Sequence, residues 1–159
     1  MFSAVSQSEQ YNRNRVPREN GYGAGERIRG HRGIMIVGLG IDVAEVKRIR
    51  AVIESQGERF QRRVYTPEEA AYCEQFKNKY ERYAGRFAAK EAAMKALGTG
   101  WSRGVRWVDV EVVRLRGGRP TISLKGEAKK IAEAMGVKNI ALSITHTAEQ
   151  AIAHVIFEG

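Results

Sequence analysis

The chain of 159 residues has a single cysteine, three histidines and no apolar run near the roughly 20 residues that span a bilayer. Each shortage excludes something. One cysteine forms no internal disulfide, which fits a reducing cytoplasm, and Cys73 reads as a small buried hydrophobe on a helix. Cys73, His31, His146 and His154 are scattered and give no zinc or other transition-metal spacing. His154 has apolar neighbours in a strand and reads as structural. The first residues carry no apolar core of the kind a secretory signal requires. What the chain has in excess is positive charge: 27 Lys and Arg against 18 Asp and Glu, a net +9. That excess points to a polyanionic partner, whether nucleic acid, membrane surface, acidic protein or phosphorylated ligand, without choosing among them. With 43% hydrophobic and 28% charged residues, the composition is that of a soluble globular protein with one core.

Residues 1–33 read as a disordered tail. Ser6 to Arg15 is polar without periodicity, and Gly21, Gly23, Gly25, Gly30 and Gly33 then interrupt any helix or strand. Such a segment buries too little apolar area to offset its ordering entropy. The globular unit is expected over residues 34–159, with Met35 a candidate original start. Ile34–Leu39 is apolar and β-branched, a buried strand. After Asp42 the spacing of Val46, Ile49 and Ile53 predicts an amphipathic helix. Thr66-Pro67-Glu68-Glu69 is a helix start with N-cap, N1 proline and capping box. A third helix is expected from Arg82 to Leu97, ending at Gly98. A strand follows over Trp107–Leu115, where a slip in alternation at Val112-Val113 suggests a bulge. Gly117-Gly118 then turns into a second strand over Thr121–Leu124. Ala128, Ile131, Ala132 and Met135 mark a helix stopped by Gly136, and strands follow around Ile140–Ile144 and Ala151–Phe157. The fold class is α+β: a mostly antiparallel sheet with helices packed on it.

Two stretches carry chemistry. The first, Val37-Gly-Leu-Gly-Ile-Asp42, is an apolar segment ending in Gly-x-Gly and an acid. It lacks the third glycine of a dinucleotide fingerprint. From position alone Asp42 reads as an N-cap, with Glu45 three residues on. The second, Arg86-Phe-Ala-Ala-Lys-Glu91-Ala-Ala-Met-Lys95-Ala-Leu-Gly-Thr-Gly100, is an alanine-rich helix with a glycine-rich exit. Glu91 and Lys95 stand one turn apart in the favourable order, which stabilises an isolated helix by about 0.3–0.5 kcal/mol. Phe87 shares their stripe, so the charged pair is not expected on a fully solvated face. Carboxylates from two elements, a lysine and a glycine loop suit a magnesium–diphosphate site.

On these two motifs, and on Ser143-Ile-Thr-His146, the chain resembles the holo-acyl-carrier-protein synthases, 4′-phosphopantetheinyl transferases, from about Met35 to Glu158. The resemblance implies transfer of phosphopantetheine from coenzyme A to a serine of an acidic acyl carrier protein, releasing adenosine 3′,5′-bisphosphate, in fatty acid biosynthesis. It makes Asp42 and Glu91 the magnesium ligands, Lys95 the catalytic lysine and Glu91 the expected acceptor of the serine proton. Gly38 and Gly40 then allow the chain to bend and phosphates to approach. By resemblance, Arg86, Lys95, Thr99, Gly100, Arg119, His146 and Thr147 lie along coenzyme A. Arg48, Arg59, Arg62 and Arg63 form the carrier-docking face, with Arg48, Arg59 and Arg63 the principal contacts. A homotrimer with active sites between subunits is implied, and no nucleic-acid or membrane partner. Two alternatives of other classes rest on charge: a nucleic-acid-binding domain, for which no recognition motif is seen, and a non-catalytic module that docks acidic partners through Arg48–Arg63.

Overall fold

A computed structural model describes residues 35–100 and 102–159. The expected tail, with His31, and Ile34 of the expected first strand lie outside the described residues. The elements run in the order strand β1 (Ile36–Glu45), helices α1 (Val46–Gln56), α2 (Glu58–Val64), α3 (Pro67–Glu74) and α4 (Lys79–Ala96), and a 3-10 turn (Trp107–Asp109). Strands β2 (Val110–Arg114) and β3 (Pro120–Leu124), helix α5 (Gly126–Ala134), and strands β4 (Asn139–His146) and β5 (Gln150–Glu158) complete them. One sheet has the order β1-β5-β4, the other is the β2-β3 pair, and all pairings are antiparallel. This is the α+β architecture expected.

Helix α4 is the axis of the structure. Alanine, the best helix former, fills its interior, and Ala84, Ala88, Ala89, Ala92, Ala93 and Ala96 are all buried. Their small side chains let the helix lie close on the inward residues of β1 and β5, among them Ala44, Ala151, Ala153, Val155 and Phe157. Contact is closest at the two glycines of β1. A Cβ on Gly40 would sit 1.9 Å from the Ala92 carbonyl oxygen, and one on Gly38 would sit 2.6 Å from that of Ala96. The expectation that these glycines admit phosphates is therefore corrected: they admit the helix backbone. The helix ends in a Schellman motif, with Gly98 N–H bonded to Lys95 O at 3.0 Å and Thr99 N–H to Met94 O at 3.2 Å. Gly98 takes φ +68°, which an L side chain resists.

At the start of α3, Thr66 Oγ1 accepts from Glu69 N–H and Glu69 Oε2 accepts from Thr66 N–H at 2.9 Å, the expected capping box. Four local expectations are overturned. Strand β1 does not stop at Leu39 but runs to Glu45, because Asp42, Val43 and Ala44 pair with Ala153, Ile152 and Ala151 of β5. Asp42 is thus no N-cap; that position before α1 belongs to Glu45. Trp107 to Asp109 form a 3-10 turn closed by Asp109 on Arg106 rather than the head of a strand. Finally, β2 and β3 keep unbroken register through Val112 and Val113, so no bulge lies there.

Cys73 is fully buried on α3, as the sequence suggests. Burial pushes its thiol up to about 12, the nearby Arg86 guanidinium opposing the shift. Since the thiolate is the reactive form, Cys73 should remain unmodified by a thiol-specific chromogenic reagent at neutral pH. It should react only as fast as the chain unfolds. Stoichiometric labelling of the native chain within the mixing time would overturn this.

Candidate active site

Strand β1 and helix α4 bring the two motifs together. Asp42 shares the inward side of β1 with Gly40 and Ala44, which are buried, and is itself partly buried between them. Lys95 reaches across from α4: its Nζ lies 2.7 Å from Asp42 Oδ1 and 3.1 Å from Ile41 O. Glu91, one turn earlier on α4, lines the same cleft. The cleft holds about 460 Å3 and is bordered also by Arg48, Arg63, Phe87 and Trp107. With Glu45 also on its border, it sets three carboxylates, of which Asp42 and Glu91 come from the two motifs, a primary amine and two guanidinium groups beside an aromatic wall. Phe87 and Trp107 form that wall as a stacked pair, ring centroids 4.8 Å apart and planes inclined at 28°. A diphosphate fits such a donor set, its negative oxygens meeting the cations and any bound divalent ion meeting the two carboxylates. Among the described residues no group of three or more His, Cys, Asp and Glu side chains could hold a metal unaided.

A second cavity, of about 180 Å3, holds other predicted residues and shares no lining residue with the first. Arg86 lies there with Tyr72, Glu81, Arg82, Arg114 and His146. The Arg86 guanidinium sits 4.0 Å over the Tyr72 ring, and Arg114 sits 5.2 Å from the same ring. Buried Nε atoms of Arg82 and Arg86 have no hydrogen-bond partner among the described residues. His146 ends β4; Arg82 Nη1 donates to its Nε2 at 3.1 Å, and its Nδ1 lies 3.1 Å from Glu81 Oε2.

Thr99, Thr147 and Arg119 fall outside both cavities. Thr99 is buried and its hydroxyl donates to Gly100 O at 3.2 Å, within the loop that follows α4. Thr147 Oγ1 accepts from Glu149 N–H and Gln150 N–H, closing the β4-β5 turn. Arg119 is exposed at the β2-β3 turn, where its carbonyl accepts from Leu115 N–H at 2.9 Å. Of the docking arginines, Arg48 and Arg63 border the cleft, Arg59 is exposed on α2, and Arg62 pairs with Glu58 at 2.7 Å. Sequence reasoning missed Trp107, taken for a strand residue, and the Tyr72–Arg114 part of the second cavity. A signal for Trp107 existed in Arg106 and Asp109, whose spacing closes a single turn.

One buried polar group lies behind the cleft. Lys90, adjacent to Glu91, has a fully buried side chain, and its Nζ is 2.7 Å from Glu69 Oε2. The same ammonium donates to Trp107 O at 3.1 Å and to Val110 O. Burial pushes its pKa down, against the pull of Glu69 and Glu111. Glu111 in turn accepts from Thr66 Oγ1 at 2.8 Å and pairs with Lys125 at 2.7 Å.

Residues 38–154 match the model of the 4′-phosphopantetheinyl transferase superfamily. A holo-[acyl-carrier-protein] synthase of Solibacter usitatus is 63% identical over 124 residues, which are 78% of this chain and 99% of that protein. The crystal structure of the synthase from Neisseria meningitidis superposes with a TM-score of 0.71 at 33% identity, covering 79% of this chain and 100% of that one. The Helicobacter pylori synthase, solved in complex with coenzyme A, superposes with a TM-score of 0.66 at 29% identity, covering 75% and 98%. Motifs, fold and relatives agree, and the chain belongs to the holo-acyl-carrier-protein synthases of the 4′-phosphopantetheinyl transferase superfamily.

Proposed function

We infer that the chain transfers 4′-phosphopantetheine from coenzyme A to a serine of apo-acyl carrier protein, in fatty acid biosynthesis. The observation that carries this within the family is the convergence of Asp42, Glu91 and Lys95 on one cleft. The serine oxygen bonds to the pantetheine-side phosphorus, the phosphoanhydride bond breaks, and adenosine 3′,5′-bisphosphate leaves. Charge moves onto the leaving phosphate, so catalysis rests on positioning and electrostatic stabilisation. Lys95 meets the negative charge that grows on the transferred group. Glu91 accepts the serine proton.

Asp42 and Glu91 are the residues that would hold magnesium. Two hard oxygen ligands in one cleft suit an ion that takes its remaining ligands from substrate phosphates and water. When bound, the ion would supply charge neutralisation at the diphosphate. The domain is residues 34–159, and a cytoplasmic location fits a lone buried cysteine. Among the described residues no helix is long and apolar enough to cross a membrane.

The second cavity supports a trimer with active sites between subunits. Arg86 and His146 lie in a different cavity from Asp42 and Glu91, so one coenzyme A that meets all four bridges two copies. Arg119 and Thr147 would extend the Arg86 side, and Thr99 and Gly100 the Asp42 side. An uncovered sheet face supports the same reading. Leu39, Ile41 and Val43 are 52–58% exposed on β1, with Ile152 beside them on β5. Such a face is expected to be covered by a neighbour. Sedimentation equilibrium that finds a fully active monomer would sink the trimer.

The reaction itself is tested by mass spectrometry of apo carrier protein after incubation with the chain, coenzyme A and magnesium. A gain of one phosphopantetheine, abolished by chelation and restored by magnesium, is expected; no gain overturns the function. Carrier docking is proposed at Arg48, Arg59 and Arg63. Reversing charge at Arg48 and Arg63 should raise the carrier KM on the order of 10-fold while the coenzyme A KM is unchanged, and added salt should act in the same direction. Salt-independent kinetics would remove the acidic-partner docking face.

A further inference from the structure

We propose that Lys90 is a positioning residue of the transfer reaction: its ammonium fastens the Trp107 wall of the cleft to helix α4, so that the pantetheine arm is held in line with Asp42 and Glu91. The inference rests on the transferase reading and assigns work to a group that the reaction itself never touches.

Three features carry it. The first is saturation. An ammonium has three donors, and Glu69 Oε2, Trp107 O and Val110 O receive all three. Glu69 is equally committed, because its Oε2 accepts from Thr66 N–H and its Oε1 from Val112 N–H, each at 2.9 Å. One ion pair therefore joins α4, the start of α3 and the segment from Trp107 to Val112.

The second is that stability does not demand an ion pair here. Well-packed apolar residues in place of a buried pair are often neutral or stabilising. What an ammonium supplies, and a methyl group does not, is a fixed direction towards particular carbonyl oxygens. Two of those oxygens bracket the turn that carries Trp107.

The third is placement. Phe87, Lys90 and Glu91 sit within five residues of one helix. The Trp107 ring stacks on Phe87 while the Trp107 carbonyl is bonded to Lys90. The aromatic wall and the Glu91 carboxylate thus share one rigid frame. The wall borders the cleft beside the carboxylates, and the proposal runs the non-reacting arm of coenzyme A along it. Contacts to such remote parts of a substrate raise turnover by orienting the reacting atoms.

The test compares coenzyme A with an analogue truncated in its pantetheine arm. The parent chain, Trp107→Ala, and the charge-neutral pair Lys90→Met with Glu69→Gln are each assayed with both substrates. Lys90→Arg, which keeps the buried charge while displacing its donors, is the second variant should the pair fail to fold. The Lys90 variants should turn over coenzyme A roughly 10- to 100-fold more slowly. Their advantage for the full arm over the truncated one should fall by about 10-fold, and adding Trp107→Ala should lower it no further. A purely structural role for Lys90 lowers both substrates alike. An unchanged ratio in folded variants therefore overturns the proposal, whatever the rate. If the parent chain transfers neither group, the transferase reading fails instead, so the two failures are distinct.

Discussion

Asp42→Ala and Glu91→Ala should each reduce phosphopantetheine transfer by at least about 100-fold while the chain stays folded, the scale on which a single preorganised electrostatic group acts. Both carboxylates line the cleft, and both lie where the diphosphate charge must be met. Little stability is at stake at Asp42. It caps no helix, its backbone stays paired with β5, and its partner Lys95 is half exposed, so removing the carboxylate leaves no buried unpaired charge. The outcome is read as single-turnover transfer at saturating coenzyme A, beside a thermal unfolding curve. Asp42→Asn keeps the shape and removes the charge. If it turned over at the parent rate, the site would not depend on that carboxylate and the metal would be held elsewhere.

Gly40→Ala should be the most damaging single methyl group in the molecule. Its Cβ would lie 1.9 Å from the Ala92 carbonyl oxygen and 2.9 Å from Ala96 N, both backbone atoms of α4 that no side-chain rotation can move. Strand and helix must separate, against the buried alanines that hold them together. Overpacking typically costs about 1–3 kcal/mol, and a clash with backbone belongs at or above the top of that range. Urea unfolding should place the midpoint far below that of the parent chain. The surviving folded fraction should also transfer poorly, since Asp42 moves with the strand. A parent-like midpoint would mean that β1 does not press on α4 as described.

These two positions also mark what the sequence discloses and what it hides. The α3 start was legible because its signals are local: Thr66, Pro67 and Glu69 satisfy one another within four residues. The α4 helix was legible for the same reason, from alanine content and a glycine stop. Strand β1 beyond Leu39 was not. Its apolar residues Leu39, Ile41 and Val43 point away from the core, and Asp42 points towards α4. That alternation inverts the usual rule, so an acid followed by a helical pattern read as a cap. Trp107 was hidden by a different cause. Its place is fixed by Lys90, seventeen residues away in sequence, and by a buried charge that no periodicity announces. The separation of Arg86 and His146 from Asp42 and Glu91 was illegible as well, because it depends on which sides of α4 the two strand ends reach.

The order β1-β5-β4 has a consequence for how the chain acquires its shape during synthesis. Strand β1 takes its hydrogen bonds from β5, and residues 46–149 are made between them. Helices α1 to α4 can form as they leave the ribosome, but the surface on which α4 lies is incomplete until β5 arrives. Until then Leu39, Ile41 and Val43 stand on a strand with an unpaired edge, the situation in which nascent chains stick to one another. Closure across so long a separation is slow relative to helix formation. Arrival of β5 completes the surface under α4 and pairs one edge of β1, while Leu39, Ile41 and Val43 stay exposed on the folded chain.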